Sequence, residues 1–118
     1  MNSLNKSRTG FGWLGQAISG IVLVLLLGLH WVAQHYLATG GLRTYSEVVA
    51  YVGNPLVLLL ELAFLVVVTY HALMGVRAIL LDLGPGERLA RFIDLGLVLV
   101  GIATILYGVD LLRAILTS

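Results

Sequence analysis

A histidine, a glycine and an aspartate stand at helical spacing in the second half of the chain. His71, Gly75, Ala78 and Asp82 would share one narrow stripe, because successive helical residues are about 100° apart. A neutral imidazole beside a residue without a side chain suits axial ligation of haem iron, since the flat porphyrin must come close to the helix. A histidine that hydrogen-bonds to a neighbouring helix fits the same spacing. His71 is therefore a candidate haem ligand, with a packing role as the alternative.

A second histidine lies on a stripe of an earlier apolar segment. The residues that share this stripe with His30 are Gln16, Ser19, Leu23 and Leu26. The rise of a helix predicts that His30 and His71 differ in depth by about 10 Å, so they are not expected to ligate one haem. His30 is expected either to hold a second haem or to have a structural role.

A carboxylate ends the His71 stripe. Asp82 would lie about 16 Å from His71, toward the end of its helix. Such a carboxylate can exchange protons with a quinone, whose reduction takes up protons as well as electrons. The alternative is an ion pair with Arg77 or Arg88. Asp82 is therefore a candidate residue of a quinone site, and Glu61 near the other end of the helix is expected to reach the lipid headgroups.

Composition places these residues in a membrane protein. The 118 residues are 59% hydrophobic and 11% charged, whereas soluble domains have about 25% charged residues. Crossing the hydrocarbon core takes about 20 apolar residues in a helix, and residues 13–37, 55–82 and 92–116 each supply such a run. Because these runs lack the alternation of barrel strands, the sequence predicts an all-α membrane protein, a single domain with three transmembrane helices.

Cysteine content and net charge exclude further kinds of site. The chain has no cysteine, so it cannot itself hold a disulfide, a thiolate zinc site or an iron–sulfur cluster. Its net charge of +1 gives no indication of nucleic-acid binding.

The segments between the apolar runs predict helix ends and orientation. Proline suits a first turn, so Asn54 and Pro55 should begin the second transmembrane helix, and residues 42–53 before it predict a short interfacial helix. Basic residues near helix ends favour the cytoplasmic side. Five basic residues are predicted on the side of the membrane that holds the N-terminus: Lys6, Arg8, Arg77, Arg88 and Arg91. Two are predicted on the other side: Arg43 and Arg113. The N-terminus is therefore predicted to be cytoplasmic.

One face of the third apolar run carries small residues. Gly101 and Gly108 share this face with Asp94 and Ile105. Small residues at this spacing let membrane helices approach closely, so this helix is expected to serve packing.

Two motifs resemble the small membrane anchor subunits of succinate dehydrogenase, the succinate:quinone oxidoreductase of respiration. Residues 71–82, HALMGVRAILLD, are similar to the H-x-x-x-G-x-x-x-x-x-x-D segment that closes the second helix of those subunits. Residues 13–20, WLGQAISG, resemble the start of their first helix, and LHW at 29–31 resembles a branch of the family with a histidine there. The length and the three helices match as well.

The chain departs from the family pattern at two positions. Ala17 replaces an arginine expected near the haem propionates or the quinone, a role that Arg77 or a partner subunit would have to fill. Leu83 replaces a tyrosine that often hydrogen-bonds the quinone. Both departures bear on the quinone site of this subunit.

The resemblance implies a division of labour within a complex of the bacterial or archaeal cytoplasmic membrane. A flavoprotein subunit would oxidise succinate, an iron–sulfur subunit would pass electrons on, and this chain with a second hydrophobic cytochrome b subunit would form the anchor, without catalysis of its own. His71 would ligate haem b, with His30 as the candidate for a second haem. An anchor of a fumarate reductase, another b-type cytochrome and a purely structural anchor without haem remain alternatives.

Overall fold

A computed structural model describes the backbone of residues 3–36 and 44–118, with the side chains of residues 12–36 and 44–118. The secondary structure elements of this part of the chain are all helices. The helices are α1 (Ser3–Tyr36), α2 (Tyr45–Gly53), α3 (Pro55–Asp82) and α4 (Glu87–Leu116). Three of them contain segments long and apolar enough to cross a membrane, at Gly12–Tyr36, Pro55–Asp82 and Glu87–Leu116. The predicted all-helical fold with three transmembrane helices is confirmed.

The helix boundaries differ from the prediction at two places. The third long helix begins at Glu87 rather than at residue 92, with Gly86 as its N-cap. An apolar run predicts only the part of a helix that faces lipid. The helix itself can begin earlier, at an acidic residue such as Glu87, because a negative charge in the first turn is stabilised by the helix dipole. The first helix likewise begins well before Trp13. Its predicted end at Leu37 lies outside the described residues.

The predicted short helix before α3 is present and begins with a capping box. The backbone N–H of Thr44 donates to Glu47 Oε2 at 2.7 Å, and the Thr44 hydroxyl accepts from the backbone of Glu47. These bonds satisfy N–H groups that a helix start leaves without partners. The Tyr45 hydroxyl donates to the Ser118 hydroxyl beyond the end of α4. Helix α2 thus packs against α3 and α4 at one end of the bundle, here called the outer end.

Helix α3 lies in the centre of an open layer. It packs against α1 on one side and α4 on the other, and within the described part α1 and α4 do not contact each other. The most enclosed residues include two polar ones, Ser19 and Thr69, while large apolar side chains such as Leu56 are exposed. This distribution fits a chain that faces lipid or partner helices over most of its surface. The end where α3 passes into α4 is called the inner end.

Glycines bring α4 close to α3, as their spacing predicts. A Cβ added at Gly101 would lie 2.7 Å from Leu73 Cδ1, and one at Gly108 would lie 2.6 Å from Leu65 Cδ2. The side chains of Leu73 and Leu65 therefore occupy the space that a side chain at Gly101 or Gly108 would need. These contacts bring α3 and α4 close together at two positions about two helical turns apart.

Candidate functional site

His71 is held by α1 in the inner half of the bundle. Its Nδ1 lies 2.9 Å from Ser19 Oγ. The Ser19 Oγ also lies 3.0 Å from the Gln16 carbonyl, to which the hydroxyl can donate. With the Ser19 proton on that carbonyl, Ser19 Oγ accepts from His71 Nδ1–H, and this tautomer has its lone pair on Nε2.

The Nε2 atom of His71 is open to the outside of the chain. Among the described residues it has no hydrogen-bond partner, and it is not one of the enclosed polar atoms without a partner. A neutral imidazole with a fixed tautomer and an accessible Nε2 is the arrangement that metal-ligating histidines adopt. The residues around His71 therefore fit an axial ligand of haem iron.

Small residues of both helices allow this close approach. A Cβ at Gly20 would lie 3.3 Å from His71 Cε1, so the imidazole packs directly on the backbone of α1. A Cβ at Gly75 would lie 3.4 Å from Gln16 Nε2, and the same nitrogen donates to the His71 carbonyl at 3.3 Å. The space at Gly75, expected to admit a flat cofactor, is thus taken by the Gln16 amide. Gly75 serves the packing of α1 on α3.

His30 meets a different set of residues in the outer half. Its Nδ1 lies 3.0 Å from Glu61 Oε1, although the two atoms do not meet in hydrogen-bond geometry and both are enclosed. The imidazole stacks on Phe64, with ring centroids 5.6 Å apart. Glu61, expected to reach the headgroups, turns inward instead because it finds a polar partner on α1.

The register of α1 against α3 sets the depth of the two histidines. Glu61, beside His30, and His71, beside Ser19, are ten residues apart on α3, a separation of about 15 Å along the helix. The predicted 10 Å was too small, because it took α1 to begin at Trp13 whereas the helix begins earlier. That the two histidines do not share one haem stays a prediction.

Arg77 and Asp82, expected to share a site, lie apart. The guanidinium of Arg77 binds Asp94 on α4, with Nε 2.6 Å from Oδ1 and Nη2 3.3 Å from Oδ2. Asp82 is exposed at the end of α3. Its predicted partners, Arg77 and Arg88, do not reach its carboxyl group. Within the described part of the chain this group forms no ion pair or hydrogen bond. Its carboxyl group is therefore exposed at the inner end of the bundle.

Sequence reasoning missed the partners of these groups rather than the groups themselves. Ser19 and Gln16 share a helical stripe with His30, but they contact His71, because antiparallel helices bring the start of one beside the end of the other. The small residues beside Asp94 indicate packing, but an aspartate within an apolar helix also predicts a cationic partner on a neighbouring helix. That signal would have found Arg77.

Comparisons with known proteins agree with this architecture. A model of the family described as succinate dehydrogenase/fumarate reductase transmembrane subunit matches residues 3–109. The succinate dehydrogenase hydrophobic membrane anchor subunit of Archaeoglobus fulgidus is 34% identical over 115 residues, which cover 98% of this chain and 97% of that protein. The subunit of the same name in Thermoplasma acidophilum is 31% identical over 93 residues, covering 79% and 76%.

A bacterial protein is similar over a shorter region. The succinate dehydrogenase 2 membrane subunit SdhC of Mycobacterium tuberculosis is 33% identical over 82 residues, covering 69% of this chain and 60% of that protein. No solved structure matches significantly. The resemblance drawn from residues 13–20 and 71–82 is confirmed, and the chain belongs to the succinate dehydrogenase/fumarate reductase transmembrane subunit family.

Proposed function

We propose that this chain is a membrane anchor of succinate dehydrogenase that holds haem b through His71 and contributes to passing electrons from succinate to quinone. The observation that carries the proposal is the contact of Ser19 with His71, which leaves Nε2 free and accessible. The reaction, succinate oxidation, is inferred from the names of the relatives, which are succinate dehydrogenase subunits. When bound, the haem would supply one-electron transfer.

The chain's own part in haem binding is to fix the imidazole. Ser19 sets the tautomer, and Gln16 holds the backbone of α3 at His71 through its amide. A further ligand for the haem iron would come from a second hydrophobic cytochrome b subunit, because His30 lies about 15 Å away from His71 in depth. A histidine that α1 already orients loses little freedom when it binds the iron.

The open layer of helices supports a need for partner subunits. Because α1 and α4 do not close on each other, the faces of α3 beside them remain for helices of another chain. Electrons would arrive from an iron–sulfur subunit, which receives them from a flavoprotein subunit, at the cytoplasmic face of a bacterial or archaeal membrane. In this arrangement the present chain performs no catalysis alone.

A second haem at His30 is favoured by one observation. Metal-ligating histidines commonly turn their other ring nitrogen toward a carboxylate, and Glu61 Oε1 lies 3.0 Å from His30 Nδ1. The depth separation then requires a haem distinct from that of His71.

The haem proposal is tested on the purified complex, co-expressed with its partner subunits. In the His71→Ala variant the b-type absorbance should fall and the haem content should drop by one per complex. His35→Ala is the matched control, because His35 is exposed and stacks on Trp31 at the outer end. Unchanged haem in the His71→Ala complex would favour a purely structural anchor.

Proton exchange at Asp82 is tested separately. Asp82→Asn should slow quinone reduction several-fold while leaving succinate oxidation by a soluble dye unchanged, because the dye takes electrons before the membrane subunits. Equal loss of both activities would contradict a role at the quinone site. Assays in both directions on the same preparation would decide between a succinate dehydrogenase and a fumarate reductase, which run one reaction in opposite directions.

A further inference from the structure

A groove runs between α3 and α4, away from His71. Its volume is about 490 Å³, within the range of ligand-binding cavities. Val66 and Arg77 mark its ends on α3, and these residues are eleven positions apart, so the groove is about 16 Å long. Its wall on α4 includes Val98 and Ile102. The groove is therefore long, narrow and apolar along most of its length.

One end of the groove is polar. Arg77 and Asp94 form their ion pair there, at the inner end, with side chains 40% and 46% exposed. A guanidinium has five N–H groups, and Asp94 takes two of them. Donors on Arg77 and lone pairs on Asp94 remain for a molecule in the groove. The pair presents both kinds of hydrogen-bonding group and has no net charge.

An apolar groove with an ion pair at one end favours a particular kind of ligand. An anionic phospholipid would bring its phosphate beside the Asp94 carboxylate, and Arg77 is already neutralised, so a charged headgroup gains little. A neutral ring that changes between two carbonyls and two hydroxyls fits better, because Arg77 donates to a carbonyl and Asp94 accepts from a hydroxyl. An apolar chain attached to that ring would be buried along Val66 and Ile102.

We infer that the groove between α3 and α4 binds an isoprenoid quinone, with its ring at Arg77 and Asp94 and its tail toward Val66. The inference rests on the proposed function, which supplies a quinone as the partner in electron transfer. It assigns Arg77 and Asp94 to a binding site separate from the exposed carboxylate of Asp82. A lipid tail or a partner helix in the groove is the competing occupant.

A groove-filling variant tests the position of the tail. Val98→Trp places a large side chain in the groove from an exposed position, and Val100→Trp is the control, because Val100 does not line the groove and is similarly exposed, 53% against 57%. In the complex in lipid nanodiscs, Val98→Trp should raise the KM for a long-tailed quinone about tenfold, since shape changes in apolar pockets have effects of this size. The KM for a quinone without a tail should change little.

A second variant tests the position of the ring. Asp94→Asn keeps an acceptor for Arg77 but leaves the end of the groove cationic. Quinone extracted per purified complex should fall several-fold, while anionic phospholipid should rise. Unchanged quinone content in Asp94→Asn, equal effects of the two tryptophan variants, or a lipid or helix cross-linked to Ile102 in place of a quinone would overturn the inference.

The test separates this inference from the proposed function. If the unmodified complex transfers electrons to a soluble dye but never to a quinone, the proposed function fails. If it reduces quinone normally and Val98→Trp leaves both KM and retained quinone unchanged, only the groove is excluded.

Discussion

The interface between α1 and α3 holds two histidines, each beside a polar side chain of different chemistry. In the inner half, the neutral hydroxyl of Ser19 meets His71 Nδ1 at 2.9 Å and is itself anchored to the backbone of α1. In the outer half, the carboxylate of Glu61 meets His30 Nδ1 at 3.0 Å beside the ring of Phe64. Apolar residues such as Leu23 separate the two contacts. One pair of helices thus presents two histidines in unlike surroundings.

The difference lies in what orients each ring. At His71 the hydrogen bonds of Ser19 to Nδ1 and to the Gln16 carbonyl favour the tautomer with its lone pair on Nε2. At His30 the Nδ1 atom lies 3.0 Å from Glu61 Oε1 without hydrogen-bond geometry, and the ring stacks on Phe64. The inner contact therefore orients its imidazole by a hydrogen bond, whereas the outer contact places its imidazole between a carboxyl group and an aromatic ring.

Separate removal of the two histidines is expected to have the largest effect. In the complex, His71→Ala should remove the inner haem, and His30→Ala should remove an outer haem if Glu61 orients a ligand. The losses should add in the double variant, because sites about 15 Å apart do not share a ligand. Haem per complex, from the pyridine haemochrome spectrum, measures each loss. Full haem content in His30→Ala would assign the outer contact to structure alone.

Removal of the Ser19 hydroxyl should have an intermediate effect. Ser19→Ala leaves His71 in place but frees its ring to rotate and to change tautomer. Loss of such an orienting partner costs about 10- to 100-fold in metal affinity, so haem should dissociate at least tenfold faster. Ser19→Thr, which keeps the hydroxyl, is the control. Equal haem retention in both variants would contradict the role of Ser19.

Sequence patterns predicted the elements of the fold well but not the pairing between them. The three spans follow from apolar length alone, and the His71 stripe follows from helical periodicity. The partners of His71 and Arg77 depend on how far α1 and α4 slide along α3. The Cβ-free positions at Gly20 and Gly101 set that register, through contacts with His71 and Leu73. Periodicity within one helix carries no information about this sliding.

The candidate site was predictable in part for the same reason. His71 could be singled out because a polar residue in an apolar helix needs a partner. Arg77 is expected in a quinone site with Asp82 because the family's arginine is missing at Ala17, yet residues five apart on a helix point to different faces, and Arg77 reaches Asp94 instead. The charge pattern identifies which residues need partners, and only the packing identifies which partner each one meets.

The electrostatic part of the outer contact should be visible in stability. Glu61→Gln keeps the size of the side chain but replaces the carboxyl group beside His30 with an amide, and we expect a loss of about 1 kcal/mol, the scale of interhelical polar contacts in membranes. Asp110→Asn is the control, because its pair with Arg113 is exposed and such pairs contribute little. The thermal midpoint of the complex in detergent measures both. A larger loss of stability for Asp110→Asn than for Glu61→Gln would contradict the stabilising role of the contact between Glu61 and His30.

Two glycines of α1 provide the finest test of the comparison. A Cβ at Gly20 would lie 3.3 Å from His71 Cε1, so the imidazole must yield by a few tenths of an ångström, whereas a Cβ at Gly28 meets nothing within 4 Å. Gly20→Ala should therefore shift the haem spectrum slightly without loss of haem, and Gly28→Ala should leave it unchanged. Both should gain helix propensity equally. Identical spectra for the two variants would show that His71 is not held against α1 in the assembled complex.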